Sequence, residues 1–201
     1  TGKKAILIAK ANQKGIPVWS RKIEAEFTNI ASMVATNEGY VFAINGFVQG
    51  SAKFLLLFCL SNNGQIKWQY KYLVTNLDIP AGFVQMQDAG SGSVDVMVSV
   101  WGATYPAHTS VDGDFFYFQI DKNGQPITKA FIFDGGYGNY DFFSYLMGIK
   151  REAADAGKIN LYLVNQLSGG RHLPSYPAFC NSIYGYSLFQ LDVNTKTTSD
   201  I

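Results

Sequence analysis

Three stretches of the sequence share one pattern: ILIAKANQKG at residues 6–15, FLLLFCLSNNG at residues 54–64 and FFYFQIDKNG at residues 115–124. In each stretch, a run of mainly apolar residues leads into a short polar turn that ends in glycine. Asn or Asp in such a turn can accept a hydrogen bond from the backbone two residues on, and glycine adopts a positive φ at little cost. The pattern predicts three β-hairpins, each with a strand on both sides of the turn.

The residue four positions after each turn glycine falls in the second predicted strand of the hairpin. This residue is Trp19 in the first copy and Trp68 in the second, whereas Thr128 takes its place in the third. A large aromatic ring at this position can anchor the packing of neighbouring sheets. A fourth copy begins at Ser187 and reaches the end of the sequence.

Each hairpin is followed by two more predicted strands, which a polar or glycine-rich turn joins. These strands are expected at residues 30–35 and 40–44, 83–87 and 94–100, and 143–149 and 159–164. Strand, turn, strand, connection, strand, turn, strand is the order of a four-stranded antiparallel meander, the blade of a β-propeller. The sequence therefore predicts an all-β chain, organised as a propeller-like array of four-stranded antiparallel blades.

The predicted units cover approximately residues 5–50, 53–105 and 114–170, with a partial unit at 186–201, in a single repeat domain spanning 1–201. About three blades plus one strand are too few for a closed ring, which usually needs at least four. We therefore expect an open array, a piece of a longer protein, or a chain whose unpaired strand edges a partner covers. A single β-sandwich is the alternative architecture.

Two stretches, 54–68 and 114–124, together with the turn Glu38-Gly39-Tyr40, carry a resemblance to a known class of repeats. They resemble the blades of bacterial and protist surface or secreted β-propellers, which read roughly D-x-x-L-x-K-L-D-x-N-G-x-x-x-W before a glycine-tyrosine hairpin. The resemblance extends over nearly the whole chain, with insertions in the later blades. It implies a propeller fold and an extracellular or cell-surface location, but a shared fold does not imply an activity.

The composition excludes several classes of protein. Apolar residues make up 47% of the chain, which is too apolar for a disordered segment, and 15 Phe and 12 Tyr favour strands. The formal net charge of +1 provides no global attraction to nucleic acid, so we predict no nucleic-acid partner. The longest apolar run, Phe54–Leu60, is much shorter than the roughly 18 residues of a membrane-spanning helix, so we predict no membrane span.

The N-terminal segment is basic, because residues 1–23 contain six cations and no acid. The cations are Lys3, Lys4, Lys10, Lys14, Arg21 and Lys22. Two interpretations are open: an edge strand that its lysines protect from aggregation, or a basic contact surface for a partner. The two cysteines, Cys59 and Cys180, either form a disulfide or remain as inert thiols.

Two long connections, at residues 101–114 and 165–186, are the predicted place of a ligand surface. Aromatic side chains in them could stack on a sugar or a peptide, and histidine and aspartate could supply polar contacts. The predicted ligand-binding residues are Trp101, Tyr105, His108, Asp112, Asp114, His172, Tyr176 and Tyr184. The alternative is that the aromatic residues only fill space between blades.

We predict no catalytic residue and no cofactor. Calcium is the open alternative, with Asp112 and Asp114, or Asp134 with Asp141, as possible ligands. Calcium takes six to eight oxygen ligands, and neither stretch matches a defined calcium-binding loop.

The function that these features favour is a non-enzymatic binding or structural module that mediates protein–protein or surface-assembly contacts. Its partner would be another protein or a second copy, bound through exposed strand edges. One version is a filament subunit in which the strand at residues 5–11 pairs with a neighbouring protomer. The alternative is a carbohydrate-binding or carbohydrate-active propeller enzyme, which would need a pair of convergent carboxylates.

Overall fold

The computed structural model describes residues 5–24, 29–47, 53–73, 84–101, 113–128, 131–134, 142–155, 157–168 and 182–200. These residues form fourteen β-strands and no helix, which confirms the all-β prediction. In the described ranges there is accordingly no helix with the length and apolarity needed to cross a bilayer. The strands are β1 (Ala5–Ala11), β2 (Pro17–Glu24), β3 (Asn29–Thr36), β4 (Gly39–Phe47), β5 (Lys53–Leu60), β6 (Ile66–Leu73), β7 (Val84–Gly90), β8 (Ser93–Trp101), β9 (Gly113–Ile120), β10 (Phe131–Asp134), β11 (Phe142–Arg151), β12 (Lys158–Ser168), β13 (Ser182–Asp192) and β14 (Thr197–Asp200).

Antiparallel hydrogen bonds group the described strands into one hairpin and three four-stranded sheets. We call β1–β2 the leading hairpin, β3–β6 sheet I, β7–β10 sheet II and β11–β14 sheet III. Within each sheet the strands lie in sequence order, so each sheet is a simple meander. The strands therefore form more than the two sheets of a sandwich, and among the described strands no sheet closes on itself.

The sheets begin two strands later than the predicted units. The unit at residues 5–50 was expected to hold β1 to β4 together, but β3 and β4 pair with β5 and β6 instead. The pairing of β4 with β5 runs from Tyr40 opposite Leu60 to Phe47 opposite Lys53. A short connection between two antiparallel strands favours their direct pairing, which explains why β4 and β5, which are close in the sequence, share a sheet.

The sheets follow one another face to face, and their first strands are neighbours. β3 contacts β7, and β7 contacts β11. Buried side chains fill each interface: one cluster lies between the leading hairpin and sheet I, a second between sheets I and II, and a third between sheets II and III. Sheets I and II are therefore covered on both faces.

Alternation along a strand assigns its side chains to one interface or the other, because successive residues point to opposite faces. In β5, the side chains of Leu55, Leu57 and Cys59 face sheet II, and those of Leu56, Phe58 and Leu60 face the leading hairpin. We call the face toward the next sheet along the chain the forward face and the face toward the preceding sheet the backward face. The burial of β5 on both of its faces explains why its sequence is a long apolar run.

The three predicted turns are confirmed and share one geometry. The turn glycines Gly15, Gly64 and Gly124 have φ values of +77°, +80° and +80°. In each turn the glycine N–H donates to the carbonyl three residues earlier, over 2.9, 2.8 and 2.9 Å. Those carbonyls belong to Asn12, Ser61 and Asp121, which are therefore equivalent positions.

Candidate functional site

Most of the predicted ligand-binding residues lie outside the described residues: Tyr105, His108, Asp112, His172 and Tyr176. The other three occupy backbone positions near strand ends. Trp101 is the last residue of β8 and pairs with Gly113, Asp114 pairs with Val100 and with Asp134, and Tyr184 pairs with Gln166. These positions lie at the strand ends that the long connections join, away from the tight turns. The ligand surface therefore stays a prediction.

The calcium prediction is also untested. Asp112 and Asp141 fall outside the described residues. Within the ranges that the structure describes, no group of three or more His, Cys, Asp or Glu side chains is placed to hold a metal ion.

Tryptophan side chains join neighbouring sheets at the tight turns. The indole of Trp19, in β2, lies on Gly64, and its Nε1–H donates to the carbonyl of Asn62 over 2.9 Å. The indole of Trp68, in β6, lies on Gly124 in the same way, and its Nε1–H donates to the carbonyl of Lys122 over 2.8 Å. We call this arrangement, a turn glycine under the ring and the carbonyl two residues before it as acceptor, a tryptophan seat. The predicted role of both tryptophans as anchors between sheets is confirmed.

The seats leave no room for a side chain at the glycine. A Cβ atom built on Gly64 would lie 2.7 Å from Cδ2 of Trp19, and one built on Gly124 would lie 2.7 Å from Cε3 of Trp68. Each glycine carbonyl accepts a further bond from the preceding sheet. Arg21 Nε donates to the carbonyl of Gly64 over 2.6 Å, and the Tyr72 hydroxyl donates to that of Gly124 over 2.7 Å.

The environment of Tyr72 predicts a measurable effect at alkaline pH. Burial, with smaller contributions from Tyr70 and Asp121, raises the pKa of Tyr72 from 10.0 to about 12. The folded chain therefore retains this proton more tightly than the unfolded chain. Its contribution to stability is fully present below pH 10 and is lost as the pH rises through about 12.

Spectrophotometric titration of tyrosinate measures this effect directly. We expect a late step near pH 12 that disappears in Tyr72→Phe. Tyr162→Phe, at a side chain that is 41% exposed, is the matched control and should leave the step in place. A step near pH 12 that keeps its full amplitude in Tyr72→Phe would contradict the assignment.

The basic N-terminal segment makes several contacts within the chain. Lys10 Nζ lies 5.2 Å from the ring centre of Tyr40, a cation–π distance, and Arg21 binds the Gly64 carbonyl. Lys22 Nζ pairs with Glu24 Oε1 at 2.9 Å on the surface. These cations help to dock the leading hairpin on sheet I or pair locally, and the basic contact surface for a partner stays a prediction.

A buried carboxylate that the sequence analysis did not single out lies between sheets II and III. Asp95, in β8, is 0% exposed, and Arg151, at the end of β11, contacts it with two nitrogens. Arg151 Nε donates to Oδ2 over 3.0 Å, and Nη2 donates to Oδ1 over 2.5 Å. Such a two-pronged pair is among the stronger charge-assisted contacts in proteins.

Three neighbouring side chains complete the bonding of Asp95. Tyr117 Oη donates to Oδ1 over 2.9 Å, Gln87 Nε2 donates to Oδ2 over 2.9 Å, and Gln119 Nε2 donates to Oδ1 over 3.3 Å. Gln87 and Gln119 lie directly opposite Asp95 on the two flanking strands. Gln87 Oε1 in turn accepts from the backbone N–H of Arg151 over 2.7 Å.

The network stabilises the charges that it contains. Burial raises the pKa of the Tyr117 hydroxyl, and the adjacent Asp95 charge raises it further. Burial acts to lower the pKa of Arg151, but its hydrogen bonds and charge interaction with Asp95 outweigh that effect and raise it. Because both Asp95 oxygens are occupied by donors, the network links two sheets and does not present a reactive group. Its signal in the sequence is one acid within an apolar strand, SVDVMVSV at residues 93–100.

Cys59 is a free, buried thiol in the core between sheets I and II. Burial raises its pKa, so the reactive thiolate form is disfavoured. Of the two alternatives for this residue, the inert thiol is the one observed, and Cys180 lies outside the described residues.

The described residues also line an open depression of about 510 Å³ at the turn end of sheet I. Its polar wall contains Glu38, whose Oε2 pairs with Lys67 Nζ at 2.5 Å. The hydrogen bond from Lys67 lowers the pKa of Glu38, with an additional effect of its charge. The charges of this depression are thus paired with one another.

The backward face of the leading hairpin is exposed and carries two large apolar side chains. Leu7 is 71% exposed and Val18 is 59% exposed. Around them on the same face lie small or polar side chains and the Lys22–Glu24 ion pair. We call the set of Ala5, Leu7, Ala9, Ala11, Val18, Ser20, Lys22 and Glu24 the outer hairpin face. It is a surface of mainly short side chains on a two-stranded hairpin, with the ion pair at the end away from the turn.

The positions in the next two sheets that are equivalent to those of β1 are covered. Alignment of the turns places Ala9 at the position of Phe58 and Phe118, and Ala11 at that of Leu60 and Ile120. Phe58 and Phe118 are each 2% exposed, and Leu60 and Ile120 are each 0% exposed. The backward face is therefore an interface wherever a preceding sheet is present, and the outer hairpin face is the candidate functional site.

Comparisons of this chain with protein-family models, curated proteins and solved structures find no match.

Proposed function

We propose that this chain is a non-enzymatic binding module that joins a protein partner through the outer hairpin face, within a larger assembly. The observation that carries the proposal is the exposure of Leu7, at 71%, on a face whose equivalents in sheets I and II are buried. Contiguous exposed apolar surface is typical of protein interaction sites.

In this proposal the sheets are successive blades of a propeller-like array. Three features support it: the meander order of each sheet, the contact of first strands β3, β7 and β11, and the repeated tryptophan seats. An array of this kind covers both faces of every interior blade. The leading hairpin is covered on its forward face by sheet I, so its backward face is the natural place for a partner.

The strand edge of the leading hairpin supports the same role. Among the described strands β1 pairs with β2 alone, whereas β5, its equivalent in sheet I, pairs with both β4 and β6. An exposed strand edge presents backbone donors and acceptors to which another chain can add a strand. Face and edge are adjacent, and a single β-sheet partner can use both. An extracellular or cell-surface location belongs to the proposal as well, on the strength of the blade resemblance.

The proposal is tested by hydroxyl-radical footprinting of the protein in the extract of its native cells and after purification. We expect labelling of Leu7 to fall several-fold in the extract, because a bound partner excludes solvent from it. Ile66 and Ile127, which are each 53% exposed and lie after tight turns, are the internal controls and should be labelled equally in both samples. Equal labelling of Leu7 in both samples would contradict the proposal.

A further inference from the structure

The leading hairpin has the turn of a tryptophan seat. Gly15 has the same positive φ as Gly64 and Gly124, and its N–H makes the same bond to the first residue of the turn. By the same alignment, the carbonyl of Gln13 corresponds to those of Asn62 and Lys122, which accept the indole N–H bonds. Every backbone element of the seat is therefore present in this hairpin.

The surface above Gly15 is exposed. A Cβ atom built on Gly15 would meet no heavy atom of the described chain within 4 Å, whereas the same atom on Gly64 or Gly124 would lie 2.7 Å from an indole. This surface adjoins the outer hairpin face, since the turn joins β1 to β2. The turn at Gly15 and the outer hairpin face are thus parts of one exposed area.

Within this chain, a seat and its tryptophan occur together. Sheet II carries Thr128 at the position of Trp19 and Trp68, and Thr128 Oγ1 accepts a bond from the backbone N–H of Gln119 in its own hairpin. The turn that follows in sheet III has no glycine: Lys196 holds the positive φ, at +60°, and its N–H bonds to the carbonyl of Asp192 over 2.8 Å. Thus sheet II, which lacks the tryptophan, is followed by a turn in sheet III that lacks the glycine.

We infer that the outer hairpin face binds a partner β-sheet whose outermost strand lays a tryptophan side chain on Gly15 and donates its indole N–H to the carbonyl of Gln13. This inference rests on the proposed function and specifies the partner. The interface continues the contacts that the leading hairpin makes with sheet I and that sheet I makes with sheet II. The short side chains of Ala9 and Ala11 provide space for large apolar side chains on the partner.

A second copy of this chain does not meet this description. Its exposed forward face belongs to sheet III, whose outermost strand is β14. In the leading hairpin Trp19 pairs with Lys10, and in sheet I Trp68 pairs with Cys59. The equivalent pair in sheet III is Gln190 with Ser199, so a second copy would bring a serine to the seat. The partner is therefore a β-sheet other than a second copy of this chain, and it carries the tryptophan.

The probe for this site is a backbone-cyclised peptide with the sequence of residues 5–24, which presents Trp19 on a hairpin of the required kind. The receptor is the full chain, isotopically labelled for NMR. We expect the peptide to shift the backbone amide signals of Leu7, Ala9 and Gly15. A peptide with Trp19→Ala should bind at least about tenfold more weakly, because buried tryptophans dominate the affinity of protein interfaces.

A receptor variant separates the seat from the rest of the face. Asn accepts a positive φ better than other side chains, so Gly15→Asn keeps the turn, but its Cβ occupies the place of the indole. We expect this variant also to bind the tryptophan peptide at least about tenfold more weakly than the unchanged chain.

Four results would overturn the inference: no detectable binding of the tryptophan peptide, equal binding of both peptides, equal binding by Gly15→Asn, or self-association of the chain that Leu7→Lys abolishes. The last result, seen by sedimentation velocity, would identify a second copy as the occupant. The first three results leave the footprinting comparison unchanged, so the inference can fail while the proposed function stands.

Discussion

Replacing Arg151 by methionine is expected to lower the free energy of unfolding by about 3–5 kcal/mol, because the change leaves a buried charge without its partner. Asp95 is 0% exposed and loses both guanidinium bonds, of 3.0 and 2.5 Å. Methionine retains an unbranched apolar stem, so lost packing contributes little to the difference. Chemical denaturation followed by circular dichroism measures the change.

The matched control removes a lysine from an exposed pair in the same sheet. Lys158 Nζ lies 3.9 Å from Asp155 Oδ2, and the two side chains are 39% and 53% exposed. Lys158→Met is expected to cost less than about 1 kcal/mol, since exposed ion pairs contribute little. If Arg151→Met and Lys158→Met destabilise the chain equally, Asp95 is not held as a buried charge.

Asp95→Asn tests the same contact from the other side. The substitution keeps the shape of the side chain and removes its charge, and Arg151, with a side chain that is 16% exposed, can turn toward water. We therefore expect a smaller loss than for Arg151→Met. The order of the two losses shows which partner depends more on the contact.

Local features of the fold could be predicted from the sequence because they depend on residues close in the chain. The turns at Gly15, Gly64 and Gly124 are encoded by four or five residues each, and the structure contains all three. The anchoring role of Trp19 and Trp68 followed from their fixed distance after those turns. The strands themselves were predicted from apolar residues that recur with a period of two.

The grouping of strands into sheets could not be predicted in the same way. The apolar run of β5 suits burial on both faces, so its composition does not show whether β4 or β3 is its partner. A repeat of four similar strands can also be divided at any of its connections without changing the pattern. The predicted units were therefore displaced by two strands, although each predicted strand was present.

The candidate site and the buried network depend on residues far apart in the sequence. Asp95 and Arg151 are separated by 56 positions, and nothing local to either indicates the other. The residues of the outer hairpin face have the sequence pattern of ordinary strands. Their exposure follows only from the position of the leading hairpin beside sheet I. Of the sequence-predicted ligand residues, the three that the structure describes, Trp101, Asp114 and Tyr184, lie at the opposite strand ends from the tryptophan seats.

Gly64→Ala and Gly15→Ala are expected to lower the free energy of unfolding by different amounts, although they change equivalent positions in two turns of the same geometry. Both place a side chain at a φ near +80°, which costs about 1–2 kcal/mol in either hairpin. At Gly64 the methyl group would also lie 2.7 Å from the Trp19 ring, whereas at Gly15 it meets no described atom within 4 Å. We expect Gly64→Ala to be the more destabilising by about 2 kcal/mol, the combined effect of a lost hydrogen bond and lost ring packing.

A double-mutant cycle identifies the cause of that difference. Once Trp19 is replaced by alanine, the methyl group at position 64 has no ring to displace, so Gly64→Ala should cost only what Gly15→Ala costs. The two changes at the seat should therefore be strongly non-additive, as expected for residues in direct contact. Gly15→Ala combined with Trp19→Ala is the matched control and should be additive, because Gly15 and Trp19 belong to different seats. Additive losses at Gly64 and Trp19 would show that the ring does not depend on the glycine, and the basis for placing a partner tryptophan on Gly15 would be lost.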